Sequence, residues 1–192
     1  MTPSSHTPLK SICLLLLAGS ILAGGCVPAV SLLGIDVVRD EREPRAYWQD
    51  NKAEMDIRFS IYRNKTISDT NVSVTIWNAV VLLTGEVPDQ QAIDRILDIA
   101  KSHHYTRQVV NRIELAGRTN MASRVNDSWL TGRVKTALVV SGTVDPTRFK
   151  VVTERANVYP MGLVTSAEAT EAVLIVRSVP GVVRVIKVFE YL

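Results

Sequence analysis

The segment "NDSWLTGRVK", residues 126–135, opens a pattern that decides the fold. Leu130 and Val134 lie four apart and Leu138 continues their row, so on a helix they form one apolar stripe for a core. The same pattern stands 77 residues earlier, where Ala53, Ile57 and Ile61 keep the same spacing. Residues 50–100 and 127–177 align at that offset. Asp50 falls on Asp127, Ile57 on Val134, Val74 on Val151, Gly85 on Gly162, Val87 on Val164 and Ala92 on Ala169. After one deletion the offset is 76, and Val109 matches Val185.

Each copy reads in one order. The helix is followed by two short apolar or alternating runs, "NVSVTIW" and "VVLLTG" in the first copy, joined around Asn78 and Ala79 as a hairpin. A second helix comes next. In copy two it starts at "TSAE", where Thr165 caps and Glu168 completes a capping box; in copy one Pro88 and Asp89 mark the start. Each copy ends in a β-rich run, "RQVVNRIEL" or "VVRVIKVFEYL". The fold class is therefore α+β: two tandem αββαβ units, each a three-stranded sheet with two helices on one face. Gly85 and Gly162, between hairpin and second helix, occupy positions that other residues would strain. Pro160 lacks a donor and argues for an edge strand or a bulge in copy two.

The amino terminus belongs to targeting. Lys10 ends a short polar region and "SICLLLLAGSILAGG" supplies an apolar run, too short for a spanning helix of about 20 residues, so residues 1–25 read as a signal peptide. Cys13 lies inside that run, which leaves Cys26 as the lone thiol of an exported chain and in need of an explanation. "LAGGC" resembles the bacterial lipobox, with Ala23 where leucine is usual, and implies lipid attachment at Cys26. Residues 26–46, with the charged "RDEREPR", read as a tether, 47–116 as the first domain, 117–126 as a polar linker short enough for the copies to touch, and 127–192 as the second domain.

Together, the α-β-β-α-β order, the central glycine and the closing "PGVVRVIKV" resemble the BON domain of bacterial envelope proteins. A lipobox followed by two such domains is similar to the outer-membrane lipoproteins of the DolP/YraP family. Tyr105, where that family has glycine before the last strand, is a departure in copy one. Val27 after the cysteine, with no aspartate there, implies by the same likeness an outer-membrane, lipid-anchored protein on the periplasmic face, with a role in envelope integrity.

Catalysis finds little material. His103 and His104 are adjacent, and so are expected to point apart, with no spacing for a metal site. G-x-S-x-G and P-loop patterns are missing from the sequence. Asp94 and Asp98 with Arg95 read as a solvated helix face. Neither an enzyme nor a cofactor is expected. Residues 120–192 hold 9 Lys or Arg against 6 Asp or Glu, a net of +3, while residues 47–116 hold 8 against 9, a net of −1. That surplus is too small for nucleic acid but suits an anionic membrane surface.

One helix carries a feature that folding does not require. Trp129, Arg133, Thr136 and Val140 fall on one stripe beside the core row, and copy one has Lys52 and Asp56 where copy two has Trp129 and Arg133. An indole favours the zone between acyl chains and headgroups, and a guanidinium binds phosphate through two hydrogen bonds. The family resemblance implies an anionic phospholipid-binding surface on this helix, with Trp129, Leu130, Arg133, Lys135, Thr136 and Val140 as its residues and Val139 close by. A large aromatic also packs readily over its own domain edge. The rival reading is a protein adaptor, in which this stripe or the sheet face of copy one docks the outer-membrane β-barrel assembly machinery or a division-site component. The chain is expected to be a monomer.

Overall fold

The computed structural model describes residues 44–67, 70–117 and 121–192. The signal peptide, Cys26 and most of the expected tether lie outside them. The first unit comprises α1 (Pro44–Arg63), β1 (Asn71–Trp77), β2 (Val80–Val87), α2 (Gln90–Ser102) and β3 (Gln108–Leu115). The second comprises α3 (Met121–Ser141), β4 (Lys150–Glu154), β5 (Asn157–Val164), α4 (Ser166–Ser178), β6 (Arg184–Val185) and β7 (Val188–Tyr191), with a 3₁₀ turn at Pro146–Arg148 before β4. The α+β reading and its element order hold in both.

Both first helices begin earlier than the periodicity indicated. α1 takes in residues 44–46 of the expected tether, because Pro44 supplies a fixed φ suited to a first helical position. α3 takes in residues 121–126 of the expected linker. Ala122 and Arg124 are good helix formers, and Arg124 donates to Asn71 Oδ1 at 2.5 Å, which ties this turn to the first unit.

One carboxylate in each unit joins helix to hairpin. Asn78 and Ala79 have φ of 50° and 62°, and Arg155 and Ala156 have 49° and 58°, the left-handed pair of a two-residue hairpin turn usually made by Asn-Gly. Asp50 accepts from the backbone N–H groups of Asn78 and Ala79 at 2.8 and 3.0 Å. Asp127 accepts from those of Arg155 and Ala156, both at 2.8 Å. Both aspartates are buried. Tyr105, the departure from glycine, donates its hydroxyl to Asp50 at 3.0 Å.

In the first sheet β2 is central, antiparallel to β1 and parallel to β3. Odd-numbered β2 residues Val81 and Leu83 face α1 and α2 and join Ile57, Ile96 and Ala100 in one core. A second core unites Leu130, Val134 and Leu138 of α3 with Val158, Ala172 and Val176. Asp89 caps α2, accepting from Ala92 N–H at 2.8 Å, and the Thr165–Glu168 capping box forms at α4. The two glycines act by different means. Gly85 has φ +114° and a Cβ there would meet Asn71 O at 1.8 Å, whereas Gly162 is required only because Arg148 O would lie 2.4 Å from its Cβ.

Pro160 corrects the edge-or-bulge expectation. It sits in central strand β5, paired with Val151. Its missing N–H is felt on the other side, where the third strand splits into β6 and β7 with Ile186 and Lys187 between them. Ile186 still donates to Val158 O at 2.8 Å, but proline has nothing to return to the ladder.

The other faces of the two sheets pack on each other. Trp77, Val80 and Leu82 meet Tyr159, Met161 and Val188 in a third buried cluster. The layers therefore run helices, sheet, sheet, helices, and the sheet face of copy one, a candidate docking surface from sequence, is covered by copy two. At the rim Arg107 and Asn78 bond Glu190, Arg155 pairs with Glu114 at 2.7 Å, and Lys150 donates to Ile76 O at 3.1 Å. Toward one end the layer turns polar, with Glu86 fully buried and holding Asn71 Nδ2 at 3.0 Å. Burial, with repulsion from Glu86 and Asp127 outweighing the attraction of Arg124 and Arg155, pushes the Glu154 carboxyl from 4.5 to about 7.

Two outcomes are expected. Asp127→Ala strands two N–H groups bonded to a charge, and denaturant unfolding should show a loss of about 3 kcal/mol. The raised Glu154 favours the protonated form in the folded chain, so its contribution is full below pH 4.5 and is lost as pH rises toward 7. Glu154→Gln should flatten that loss, and thermal melts at pH 8 should then show a higher midpoint than the parent.

Candidate lipid-binding groove

The end of α4 and the outward side of α3 enclose an open groove of about 660 Å³. Trp129, Gly132, Arg133, Thr136 and Val140 line it from α3, and Ser178, Val179 and Pro180 from the last residue of α4 and the turn after it. Trp129 is 58% exposed, so it does not pack over its own domain edge. Arg133 lies over the indole, its guanidinium carbon 4.7 Å from the ring centroid, and donates to Pro180 O at 3.1 Å. A guanidinium has five N–H donors, so this anchored Arg133 keeps others for an anion. Thr136, which also lines the groove, donates its hydroxyl back to Gly132 O at 3.0 Å. Val139 and Val140 stand exposed at the helix end.

Leu130 does not belong to this surface. It is 1% exposed and packs in the core with Val134 and Leu138, because it sits about 100° around the helix from Trp129, on the side facing the sheet. Lys135 is exposed but turns about 120° away from Trp129 and does not line the groove. The wall from Ser178 to Pro180 had no signal in the periodicity of α3, since it comes from sequence 40 residues on. Its only trace was the Pro180-Gly181 pair in the closing motif.

His103 and His104 do not point apart as adjacency suggested. Their rings lie 4.7 Å apart and tilted by 33°, because His103 caps α2 in an extended conformation and the chain turns there. Among the described residues no group of three or more His, Cys, Asp or Glu is placed to hold a metal ion, and no helix is long and apolar enough to cross a membrane.

The BON domain profile matches residues 49–117 and 126–192. The chain is also 33% identical over 190 residues to the outer membrane lipoprotein DolP of Haemophilus influenzae, covering 97% of this chain and 98% of that one. This chain is a dual BON-domain protein of the DolP/YraP family. A 21 kDa hemolysin of Actinobacillus pleuropneumoniae is 27% identical over 153 residues, 79% of each chain. A solved structure of CdsD, a type III secretion structural protein of Chlamydia trachomatis, overlaps only at TM-score 0.30 and 12% identity, over 72% of this chain and 91% of its own.

Within this BON-domain pair the groove belongs to the second copy. At the matching places copy one has Lys52 and Asp56, which pair with each other at 3.2 Å. Exposure separates the α3 residues by their effect on folding. Leu130→Ala should lower unfolding free energy by about 2–5 kcal/mol, whereas Trp129→Ala should change it by less than about 1 kcal/mol, both read from urea denaturation.

Proposed function

We propose that this chain is an outer-membrane lipoprotein, acylated at Cys26 and facing the periplasm, whose second BON domain binds anionic phospholipid through the α3 groove and so supports envelope integrity. The observation that carries the reading is the exposed Trp129 ring with Arg133 held over it at the mouth of an open groove. The indole and Val140 enter among the upper acyl carbons, and Arg133 takes the phosphate through charge-assisted hydrogen bonds. Lys135 and the +3 balance of residues 120–192 contribute only a diffuse attraction to the anionic surface.

Acyl chains supply the lasting hold, at about 0.8 kcal/mol for each buried CH₂. The groove then needs only weak affinity, because a tethered domain sees headgroups at an effective concentration in about the millimolar range. No step requires a bond to be made or broken, so the role is binding rather than catalysis.

The test uses the non-acylated chain beginning at residue 27 and vesicles of phosphatidylglycerol or phosphatidylcholine. Binding should require phosphatidylglycerol and fall as salt rises. Trp129→Glu should weaken it with circular dichroism unchanged, and in a Trp48→Phe chain the Trp129 emission should be quenched by brominated phosphatidylglycerol. Unquenched Trp129 in that chain would sink the proposal, and docking of an envelope protein without lipid would favour the adaptor role instead.

A further inference from the structure

Among the described residues, helix α1 has an outward face that no other element covers. Successive residues turn by about 100°, which stacks Trp48, Met55, Phe59 and Tyr62 on the side opposite the core residues Ala53, Ile57 and Ile61. All four are between 57% and 87% exposed. Tyr47 meets the Trp48 ring edge-on at 5.6 Å. Arg63 lies over Phe59, 5.2 Å from its centroid, the same four-residue pairing that Arg133 makes with Trp129. Lys52 occupies the gap between Trp48 and Met55, and Arg45, Lys52 and Arg63 run along one flank of the stripe, with Asp56 on the same flank paired to Lys52 at 3.2 Å. A contiguous exposed run of three aromatics and a methionine marks an interaction surface on a soluble domain.

The chemistry selects the occupant. Trp and Tyr rings favour the headgroup level of a bilayer, Phe and Met the acyl boundary, and a row of cations the anionic phosphates. A second copy fits poorly. Two such helices face to face would bring their basic flanks together and bury on the order of 500 Å² per partner, below the roughly 800 Å² of a standard interface. With Cys26 acylated as in the function proposed above, on which this step rests, Pro44 lies 18 residues on and at most about 60 Å away when the chain is fully extended, so the tether lets this face reach the bilayer.

We propose that α1 is a second anionic-phospholipid-binding surface, formed by Trp48, Met55, Phe59 and Tyr62 with Lys52 and Arg63. It does not depend on the Trp129 groove. Because α1 and α2 cover one outer side of the paired sheets and α3 and α4 the other, the two surfaces point in opposite directions. One flat bilayer engages one of them at a time.

Tryptophan emission tests this directly. Of the three tryptophans, Trp77 is buried between the sheets, so in the acylated full chain carrying Trp129→Glu the exposed indole is Trp48. In vesicles containing brominated phosphatidylglycerol its emission should be quenched at least about twofold more than with brominated phosphatidylcholine, on the view that charge directs the contact. Adding Met55→Glu and Phe59→Glu should remove the difference while circular dichroism stays the same. Absent quenching, or equal quenching by both lipids, overturns the proposal; a face that takes a protein or a second copy leaves Trp48 unquenched and overturns it too. The reciprocal Trp48→Phe chain reports Trp129, so failure of the α1 surface and failure of the groove give different results.

Discussion

Two buried carboxylates organise everything else in this molecule. Asp50 and Asp127 each sit at the second turn of a first helix and accept two backbone N–H bonds from the hairpin turn packed against it. Those turns hold Ala79, Arg155 and Ala156 in the left-handed region, where a side chain costs about 1–2 kcal/mol per residue. Charge-assisted bonds of about 1.5–3 kcal/mol each offset that strain. The same bonds fix the angle between helix and sheet, and that angle decides which helix residues face inward. Ile57 and Val134 thereby enter cores, and Trp129 and Met55 are turned outward.

The second constraint is that each sheet has two faces and only one pair of helices. An apolar sheet face left in water forfeits the stabilisation of burial, and here each sheet covers the other. Leu82 and Met161 are fully buried by that contact. The cost appears at the polar end, where Glu86 and Glu154 approach and one carboxyl is driven toward neutrality. Desolvated like charges are tolerated there because Arg124 and Arg155 reach in from the neighbouring turns. Helices on both outer sides leave the Trp129 groove and the α1 stripe as two separate exposed surfaces.

The two surfaces use one device. An arginine four residues after an aromatic folds back over the ring, at Arg133 on Trp129 and Arg63 on Phe59. This keeps a cation next to an indole or phenyl group without burying either. On α3 the device is framed by the α4 terminus, whose carbonyl at Pro180 holds the guanidinium in place; on α1 it stands on an open helix face.

Much of this was legible in the residues themselves. The 77-residue repeat, the four-residue spacing of Leu130, Val134 and Leu138, and the caps at Asp89 and Thr165 are local patterns, and local hydrogen bonding and periodicity determine them without reference to the rest of the chain. The Trp129 and Arg133 stripe was visible for the same reason. Other features depend on contacts between distant segments. Pro160 lies in a central strand because the missing donor is absorbed by splitting the strand beside it, which no single segment reveals. The groove wall at Pro180 and the burial of the first sheet's open face arise from residues far apart in sequence. Periodicity says which side of an element is apolar, and only the packing of one element on another decides whether that side meets a core, a second domain or solvent.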